Sequence, residues 1–458
     1  MPRAAPPRPS LLLLAYLAFV SLGLPDGLIG VGWPSIRLDL GVPTEAVGVV
    51  LAAGTLAYLT SSVLAGFTLA RLGVGWLLAG RTLLAGLALT GYALTPALVL
   101  MVGFALLLGL GSGAIDAGLN AYAAGAFGPR HMNWLHAFFG LGVATGPLIM
   151  TGVMGAGLSW RWGYGLVAAA QLALATAFAL TARAWRERAP VPVPADPVAP
   201  GMVPGSPAEA VAVPAGRAAA AGPGVPFGPA TGAGSASDEG REPVAAGIPL
   251  ATPAGGAGED RPVARPPIAE TLRLPAVWLG GAAFAVYVAV EVTTGLWAFL
   301  LLTDGRQVGR PVAGLCVSGY WGSLFLGRVV QGLVAERLGT GQVLRGSLLG
   351  LVGGAALIAL PAPAWVTVVG LLVVGFAAAP VFPLLTLSTA DRVGAAHADR
   401  TIGLQIGAAG VGAALVPAAV GVLLARTSVA VLGTTLVVLT LVLVALHAAG
   451  SRVPRPAG

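Results

Sequence analysis

The chain has 458 residues, of which 56% are hydrophobic and only 9% are charged. Soluble proteins carry about 25% charged residues, so this composition excludes an ordinary soluble fold and predicts a membrane protein. The net charge of +7 is the balance of 25 basic residues, all of them arginine, and 18 acidic residues. Because the arginines fall between apolar segments, they indicate membrane orientation and not nucleic-acid binding.

Twelve apolar segments are long enough to cross a bilayer, which takes about 20 residues of helix. The first segment contains Asp26 and lacks a clear cleavage site, so we expect a retained helix and not a signal peptide. The predicted spans are 11–34, 45–70, 76–94, 97–126, 132–157, 162–182, 275–302, 312–335, 343–361, 364–388, 401–425 and 428–449.

Residues 183–272 separate the sixth span from the seventh and are rich in Pro, Ala and Gly, without helical or strand periodicity. Such a segment cannot bury enough apolar surface to offset the entropy lost on ordering. We therefore expect a disordered cytoplasmic linker between two domains. These are an N-terminal six-helix bundle, residues 1–182, and a C-terminal six-helix bundle with a short tail, residues 273–458.

The two halves repeat at a constant offset of 266 residues, which aligns "GFTLARLGVGWLLAG" (66–80) with "GLVAERLGTGQVLRG" (332–346). Two parallel six-helix repeats around a midplane site are the plan of many secondary transporters. The sequence therefore predicts an all-α membrane protein with 12 transmembrane helices in two pseudo-symmetric six-helix bundles. The same offset pairs Gly109 with Gly375, Gly128 with Gly394, His131 with His397, Gly146 with Gly412, and Gly155 with Gly421.

The distribution of arginine predicts the orientation. If both termini are cytoplasmic, the cytoplasmic segments contain nineteen arginines, of which four lie in residues 189–265, and the outside loops contain five, as the positive-inside rule requires. The absence of lysine and the abundance of alanine suggest a high-GC bacterium. We therefore expect a multi-pass protein of a bacterial plasma membrane.

An acidic residue lies inside the fourth span. Gly109, Gly113, Asp116 and Asn120 are spaced four, three and four residues apart and share one helix face. A carboxylate at this depth costs several kcal/mol unless it is compensated, so it is a functional candidate by default. The alternative is a hydrogen bond that only joins two helices.

Two more acids, Asp26 on helix one and Glu291 on helix seven, lie within spans, and the candidate cation for all three is Arg328 on helix eight. Three carboxylates cannot all stay ionised beside one cation when the cavity closes, so at least one should gain and lose a proton. Alternatively, Asp26 serves helix packing, and Arg328 either extends to the cytoplasmic surface or pairs with an acid such as Asp116.

Several other polar and aromatic residues within the spans are candidates for solute binding. Amides suit hydroxyl-bearing solutes but serve helix packing equally well, and tryptophan often marks only the membrane interface. The predicted solute-binding residues are Asn120, Asn133, His136, Tyr287, Trp297, Trp321 and Gln405.

The paired stretches "GFTLARLG" and "GLVAERLG" resemble the motif that follows helix two, and again helix eight, in the major facilitator superfamily. The family pattern places an acid before the arginine; Ala70 replaces it in the first copy, and Glu336 retains it in the second. The resemblance implies a cytoplasmic charge lock, more credible in the C-terminal half. Together with Arg328, the predicted gating residues are Arg71, Gly73, Glu336, Arg337 and Gly339.

Within that superfamily, "GLPDGLIGVGWPSIRLDLGV", "GSGAIDAGLNAY" and "NWLHAFFGLGVATGPL" are similar to the corresponding stretches of fucose-permease-type proton–sugar symporters. In that family, acids on helices one and four serve proton coupling and sugar recognition. Asp26 and Asp116 fall at the matching places. The resemblance implies proton-coupled transport of a small polar solute, a sugar, with Asp26, Asp116 and Glu291 as the proton-coupling residues.

The first alternative is a drug/proton antiporter, whose helix-five motif ends in two glycines. Gly142, Gly146 and Pro147 match that motif, but Met150 and Thr151 occupy the positions of the glycine pair. A second alternative is a non-transporting membrane sensor.

An enzyme is not expected. The four histidines show no metalloprotease spacing, and the single cysteine, Cys316, has no obvious base partner and excludes an internal disulfide bond. We therefore expect no catalytic residues, no metal and no cofactor. The expected partners are a small-molecule solute, protons and the lipid bilayer, for a monomeric protein that does not bind nucleic acid.

Overall fold

The computed structural model describes residues 9–185 and 267–453, except the side chains at 124–126, 128–130, 132–133 and 332–336. The described residues form helices joined by short turns and contain no strand. Residues 186–266, which include most of the predicted linker, lie outside the described residues.

In the described part of the first half, the chain forms five helices and two 3-10 turns. The turns are Thr44–Ala46 and Ala182–Trp185. The helices are α1 (Pro9–Asp39), α2 (Val47–Leu94), α3 (Leu98–Ala126), α4 (Gly128–Gly155) and α5 (Trp160–Thr181).

The second half consists of nine helices within the described residues, of which three are short. A π-helical turn, Leu301–Gly305, follows the second of these nine helices, Pro275–Leu300. The helices are α6 (Ile268–Arg273), α7 (Pro275–Leu300), α8 (Arg310–Leu338), α9 (Thr340–Ala359), α10 (Ala364–Ala378), α11 (Val381–Leu387), α12 (Thr389–Val393), α13 (Ala395–Arg426) and α14 (Val431–Arg452).

Ten segments of the described chain are long and apolar enough to cross a membrane. One of them, Thr44–Leu94, has 51 residues and includes α2, which breaks at Gly73 and therefore supplies two crossings. Helix α8 is not among the ten, but its 29 residues are long enough to span. The arrangement is consistent with the twelve predicted spans and confirms an all-helical membrane fold.

The sequence repeat is reproduced in the packing of the two halves. A methyl group added at Gly109 would collide with the carbonyl oxygen of Gly54, and one added at Gly375 would collide with that of Tyr320. Both contacts are related by the offset of 266 residues. The same helix crossing therefore occurs once in each half, and both crossings need a glycine because the backbones approach so closely.

The glycines that end the two copies of the loop motif have a backbone conformation reserved for glycine. Gly73 has φ +72° and ψ 165°, and Gly339 has φ +81° and ψ 143°. L-residues avoid this region because Cβ collides with the backbone. These positions reverse the chain between spans, which explains why the motif keeps glycine at both.

We name the two ends of the bundle by the first helix of each half. The near face is the end at which α1 and α7 begin, and the far face is the end at which they finish. Toward the far face the halves pack closely, with small residues at each crossing. The contacting pairs are Gly30 with Gly295, Gly48 with Ala418, and Gly314 with Thr151.

Replacing Gly339 by alanine should destabilise the protein by about 1–3 kcal/mol through backbone strain alone, because no atom of the described residues lies within 4 Å of the added methyl group. Gly346→Ala, which also has open space but lies in ordinary helix, is the matched control and should be neutral or slightly stabilising. Thermal unfolding in detergent measures both variants. Equal melting temperatures for the two would contradict the role assigned to the turn.

Candidate functional site: a carboxyl cluster between the two halves

Asp116 is held by two hydrogen-bond donors inside the first half. The Tyr58 hydroxyl donates to Oδ2 of Asp116 at 2.6 Å, and Nδ2 of Asn120 donates to Oδ1 at 2.9 Å. Asp116 and Asn120 are both half-buried. Two donors compensate a carboxylate that has lost part of its hydration.

Close packing of α2 on α3 brings Tyr58 to this carboxylate. A methyl group at Gly113 would collide with the carbonyl oxygen of Tyr58. Ser61 and Ser62 of α2 also donate to carbonyl oxygens of α3. The small face predicted on the fourth span is thus the contact face, and the acid lies at its edge.

Tyr58 is the functional candidate that sequence reasoning missed. It lies in the apolar stretch "LAYLTSS" of the second span and has no spacing relation to Asp116, which is 58 residues away. A tyrosine inside a span was the available signal, because a buried hydroxyl seeks a partner. Only the helix pairing identifies that partner.

Asp26 lies in the middle of α1 and is nevertheless exposed. It is nine residues from Leu17, which is 45% exposed, so the two residues lie on opposite sides of the helix. The Tyr58 hydroxyl group interacts electrostatically with both Asp26 and Asp116. The exposure of Asp26 is therefore toward the interior of the bundle.

Glu291 has a comparable setting in the second half. The Tyr287 hydroxyl donates to its carboxylate, and the Tyr320 hydroxyl donates to its backbone carbonyl oxygen at 2.8 Å. Both tyrosines are fully buried, whereas Glu291 is half-buried. Within the membrane span, one phenol thus donates to the Glu291 carboxylate and a second phenol donates to the backbone of the same residue.

Asp26 and Glu291 occupy corresponding places beside one helix crossing between the halves, although they are 265 residues apart and the repeat offset is 266. Asp26 precedes Gly30 by four residues, and Glu291 precedes Gly295 by four. These two glycines meet where α1 crosses α7: a methyl group at Gly30 would lie 3.0 Å from the carbonyl oxygen of Gly295. Each half therefore contributes one carboxyl group one turn before the same crossing.

Arg328 of α8 and His136 of α4 come from opposite halves and interact electrostatically. Arg328 is half-buried and also interacts electrostatically with the Tyr287 phenol. His136 is exposed, and its ring packs edge-on against that of Phe19, with the two ring centroids 5.5 Å apart. His136 interacts with Asp116 as well. The structure thus brings together the predicted groups Asp116, His136 and Arg328.

Three other predicted solute-binding residues pack within the second half. The Trp297 indole donates to the Pro417 carbonyl oxygen at 3.0 Å, and Gln405 accepts from Thr389 at 3.0 Å. The Trp321 ring fills the space beside Gly295. All three predicted residues are buried in this conformation, and their role in solute binding stays a prediction.

The remaining predictions fall at the near face. Arg71 and Arg337 are exposed, which suits residues of a surface gate. The side chains of Asn133 and Glu336 lie outside the described residues. Among the residues that the structure does describe, no group of three or more His, Cys, Asp or Glu side chains forms a metal site.

Comparison with known proteins identifies the family. Residues 15–305 match the model of the Major Facilitator Superfamily. The chain belongs to this superfamily. Its membership assigns the chain to transporters of small solutes and not to enzymes, and it makes the loop motif and the repeat explicable as family features.

Solved structures support the same fold. A point mutant of the nucleoside transporter NupG superposes with a TM-score of 0.67 at 14% identity, covering 96% of this chain and 99% of that chain. NupG without that substitution superposes with a TM-score of 0.59 at 15% identity, covering 96% of this chain and 97% of that chain. At this identity the likeness concerns the fold alone.

One curated relative also matches, over a short stretch. Bypass of stop codon protein 6 of Saccharomyces cerevisiae is 32% identical over 74 residues. The match covers 16% of this chain and 15% of the yeast protein.

Tyr58→Phe should lower stability by about 1–2 kcal/mol, because one oxygen of Asp116 loses its donor. Tyr164→Phe is the matched control, since the Tyr164 hydroxyl is buried without a hydrogen-bond partner among the described residues and its removal should be neutral or stabilising. Thermal unfolding in detergent at neutral pH measures the difference. The site geometry would be contradicted if Tyr164→Phe proved the more harmful change.

Proposed function

We propose that the protein is a proton-coupled secondary transporter that moves a small hydroxyl-bearing solute by alternating access. The observation that carries this proposal is the half-buried Asp116 carboxyl inside a membrane span, held by Tyr58 and Asn120. A group at this position can meet water, a proton and a solute in turn, which a purely structural acid does not need.

Proton coupling follows from the hydrogen-bond requirements of Asp116. When ionised, its carboxylate accepts from both donors; when protonated, it has a proton of its own to donate. A solute hydroxyl that competes for the same oxygens therefore binds the two forms with different affinity. That difference is the free-energy coupling between solute and proton that symport requires. We propose that Asp26 and Glu291 share this coupling, one in each half.

Rocking of the first half against the second supplies alternating access. The crossings at Gly30, Gly48 and Gly314 bring the halves together at the far face, while Asp26 and His136 remain exposed inside the bundle. This combination supports a conformation open toward the near face. We propose that the near face is cytoplasmic, with Arg71 and Arg337 at its gate.

The hydroxyl-bearing solute is a sugar or a related molecule. The resemblance to fucose-permease-type symporters supports a sugar, and the nucleoside named for NupG is a sugar attached to a base. A drug/proton antiporter is the second candidate. It is disfavoured because Thr151, which stands at an expected glycine of the antiporter motif, packs against Gly314 of the other half.

We further propose a monomer in a bacterial plasma membrane, with both termini and residues 183–272 in the cytoplasm. The arginine distribution supports this orientation. The linker joins the two bundles, residues 1–182 and 273–458.

Asp116→Asn should abolish proton-driven accumulation while retaining exchange of solute across proteoliposomes, because the amide keeps hydrogen bonding but cannot titrate. Internal pH and labelled-solute uptake are measured together across a panel of monosaccharides and drugs. Asp399→Asn is the matched control, an exposed acid at the start of α13. Sugar-driven pH change that survives in Asp116→Asn would remove Asp116 from coupling, and drug-driven exchange would favour the antiporter.

Cross-linking tests the rocking motion. A methyl group at Gly140 of α4 would lie 3.7 Å from Cβ of Phe325 of α8. This is close to the separation of roughly 3.8 Å between the two Cβ atoms of a disulfide-bonded cysteine pair. In a Cys316→Ser chain, the pair Gly140→Cys and Phe325→Cys should therefore cross-link on oxidation and stop transport, and reductant should restore it. Each single variant is the control. Full transport by quantitatively cross-linked protein would show that α4 and α8 move together.

A further inference from the structure

His136 and Arg328 face each other across the boundary between the halves. Helices α4 and α8 run antiparallel, with Thr151 opposite Gly314 and Gly140 opposite Phe325. Continuing this register toward the near face by three to four residues on each helix sets His136 opposite Arg328. Their electrostatic interaction agrees with that placement.

The two helices separate along this line, which leaves room between the pair. At Gly314 an added methyl group would overlap the Thr151 hydroxyl oxygen, whereas at Gly140 it would lie 3.7 Å from Phe325. His136 is exposed, and Arg328 is half-buried. The space between α4 and α8 therefore widens toward these two side chains.

Both side chains have unused hydrogen-bond donors. In the described part of the chain, neither Arg328 nor His136 makes a hydrogen bond or an ion pair with any side-chain or backbone atom. The ion pair found among these residues joins Arg161 to Asp39. An unpaired guanidinium within a membrane span is unfavourable. Two unsatisfied donors, one from each half, form a site for a hydrogen-bond acceptor.

The opposite side of the space presents acceptors. Asp116 supplies its carboxylate, and Oδ1 of Asn120 is buried without a partner among the described residues. His136 lies within electrostatic range of Asp116, so both ends fall within the reach of one small molecule. A solute that bridges them needs hydroxyl donors at one end and an acceptor at the other.

We infer that His136 and Arg328 form a subsite for a carboxylate or carbonyl group attached to a hydroxylated ring, so that a sugar acid or a nucleoside is preferred to a plain sugar. This inference rests on the proposed transport function and names its solute class. The planar guanidinium donates two parallel hydrogen bonds to such a group, which a hydroxyl cannot accept in the same geometry.

The test compares two matched pairs of labelled solutes in proteoliposomes: glucuronate with glucose, and uridine with ribose. At least one acceptor-bearing member should be taken up at roughly 10- to 100-fold lower half-saturating concentration than its plain sugar, the range expected for a charge-assisted hydrogen bond. The pair that shows the preference distinguishes a carboxylate from a ring carbonyl.

Arg328→Gln should remove this preference, so that the acceptor-bearing solute and its plain sugar are taken up at similar half-saturating concentrations. The melting temperature of the variant in detergent, compared with that of the unmodified protein, shows whether it is folded. Arg328→Lys keeps the charge without the planar fork and should retain part of the preference. Arg310→Gln, an exposed arginine at the start of the same helix, is the control and should match the unmodified protein.

Equal uptake within both pairs, a preference that survives in Arg328→Gln, or uptake of none of the four would overturn the subsite. Internal pH recorded in the same vesicles separates this inference from the transport proposal. Arg328-dependent uptake without a pH change would reject proton coupling and leave the subsite standing. A pH change driven best by plain sugar would support proton coupling and reject the subsite.

Discussion

A carboxylate inside a membrane span is stable only with donors, water or a proton, and this requirement organises the centre of the protein. The Asp116 carboxylate accepts hydrogen bonds from Tyr58 and Asn120, and the Glu291 carboxylate accepts one from Tyr287. Phenol and amide donors stabilise the ionised form without adding a permanent positive charge.

Glycine at the helix crossings makes these contacts possible. At Gly109 and Gly113 the backbone of α2 lies against α3, which carries Tyr58 to Asp116. At Gly30 the first half meets the second in the same way. Small residues give close contact without strong directional bonds, so one set of crossings can fix the fold of each half while another opens and closes between them.

The polar groups divide between the halves in a way that suits a carrier. The first half contributes acceptors, at Asp116 and Asn120, and the second contributes the Arg328 guanidinium. His136 lies between them and interacts with both Asp116 and Arg328. In the proposed transport cycle, a solute that contacts both halves would lower the free energy of the closed state more than that of either open state, which would link its binding to rocking.

The sequence by itself determined the fold class and the repeat, and it predicted twelve spans and the acids within them. Each rests on local composition or on a fixed offset, and hydrophobic length is decisive in a bilayer because every backbone group must bond within its own helix. Gly73 and Gly339 could likewise be marked as turns from the motif. Tertiary structure alone decided which groups meet. Tyr58 bonds to Asp116, and Arg328 lies near His136, because helices distant in sequence cross at particular residues. The spacing of residues within one helix contains no information about which helix packs against it or in which register.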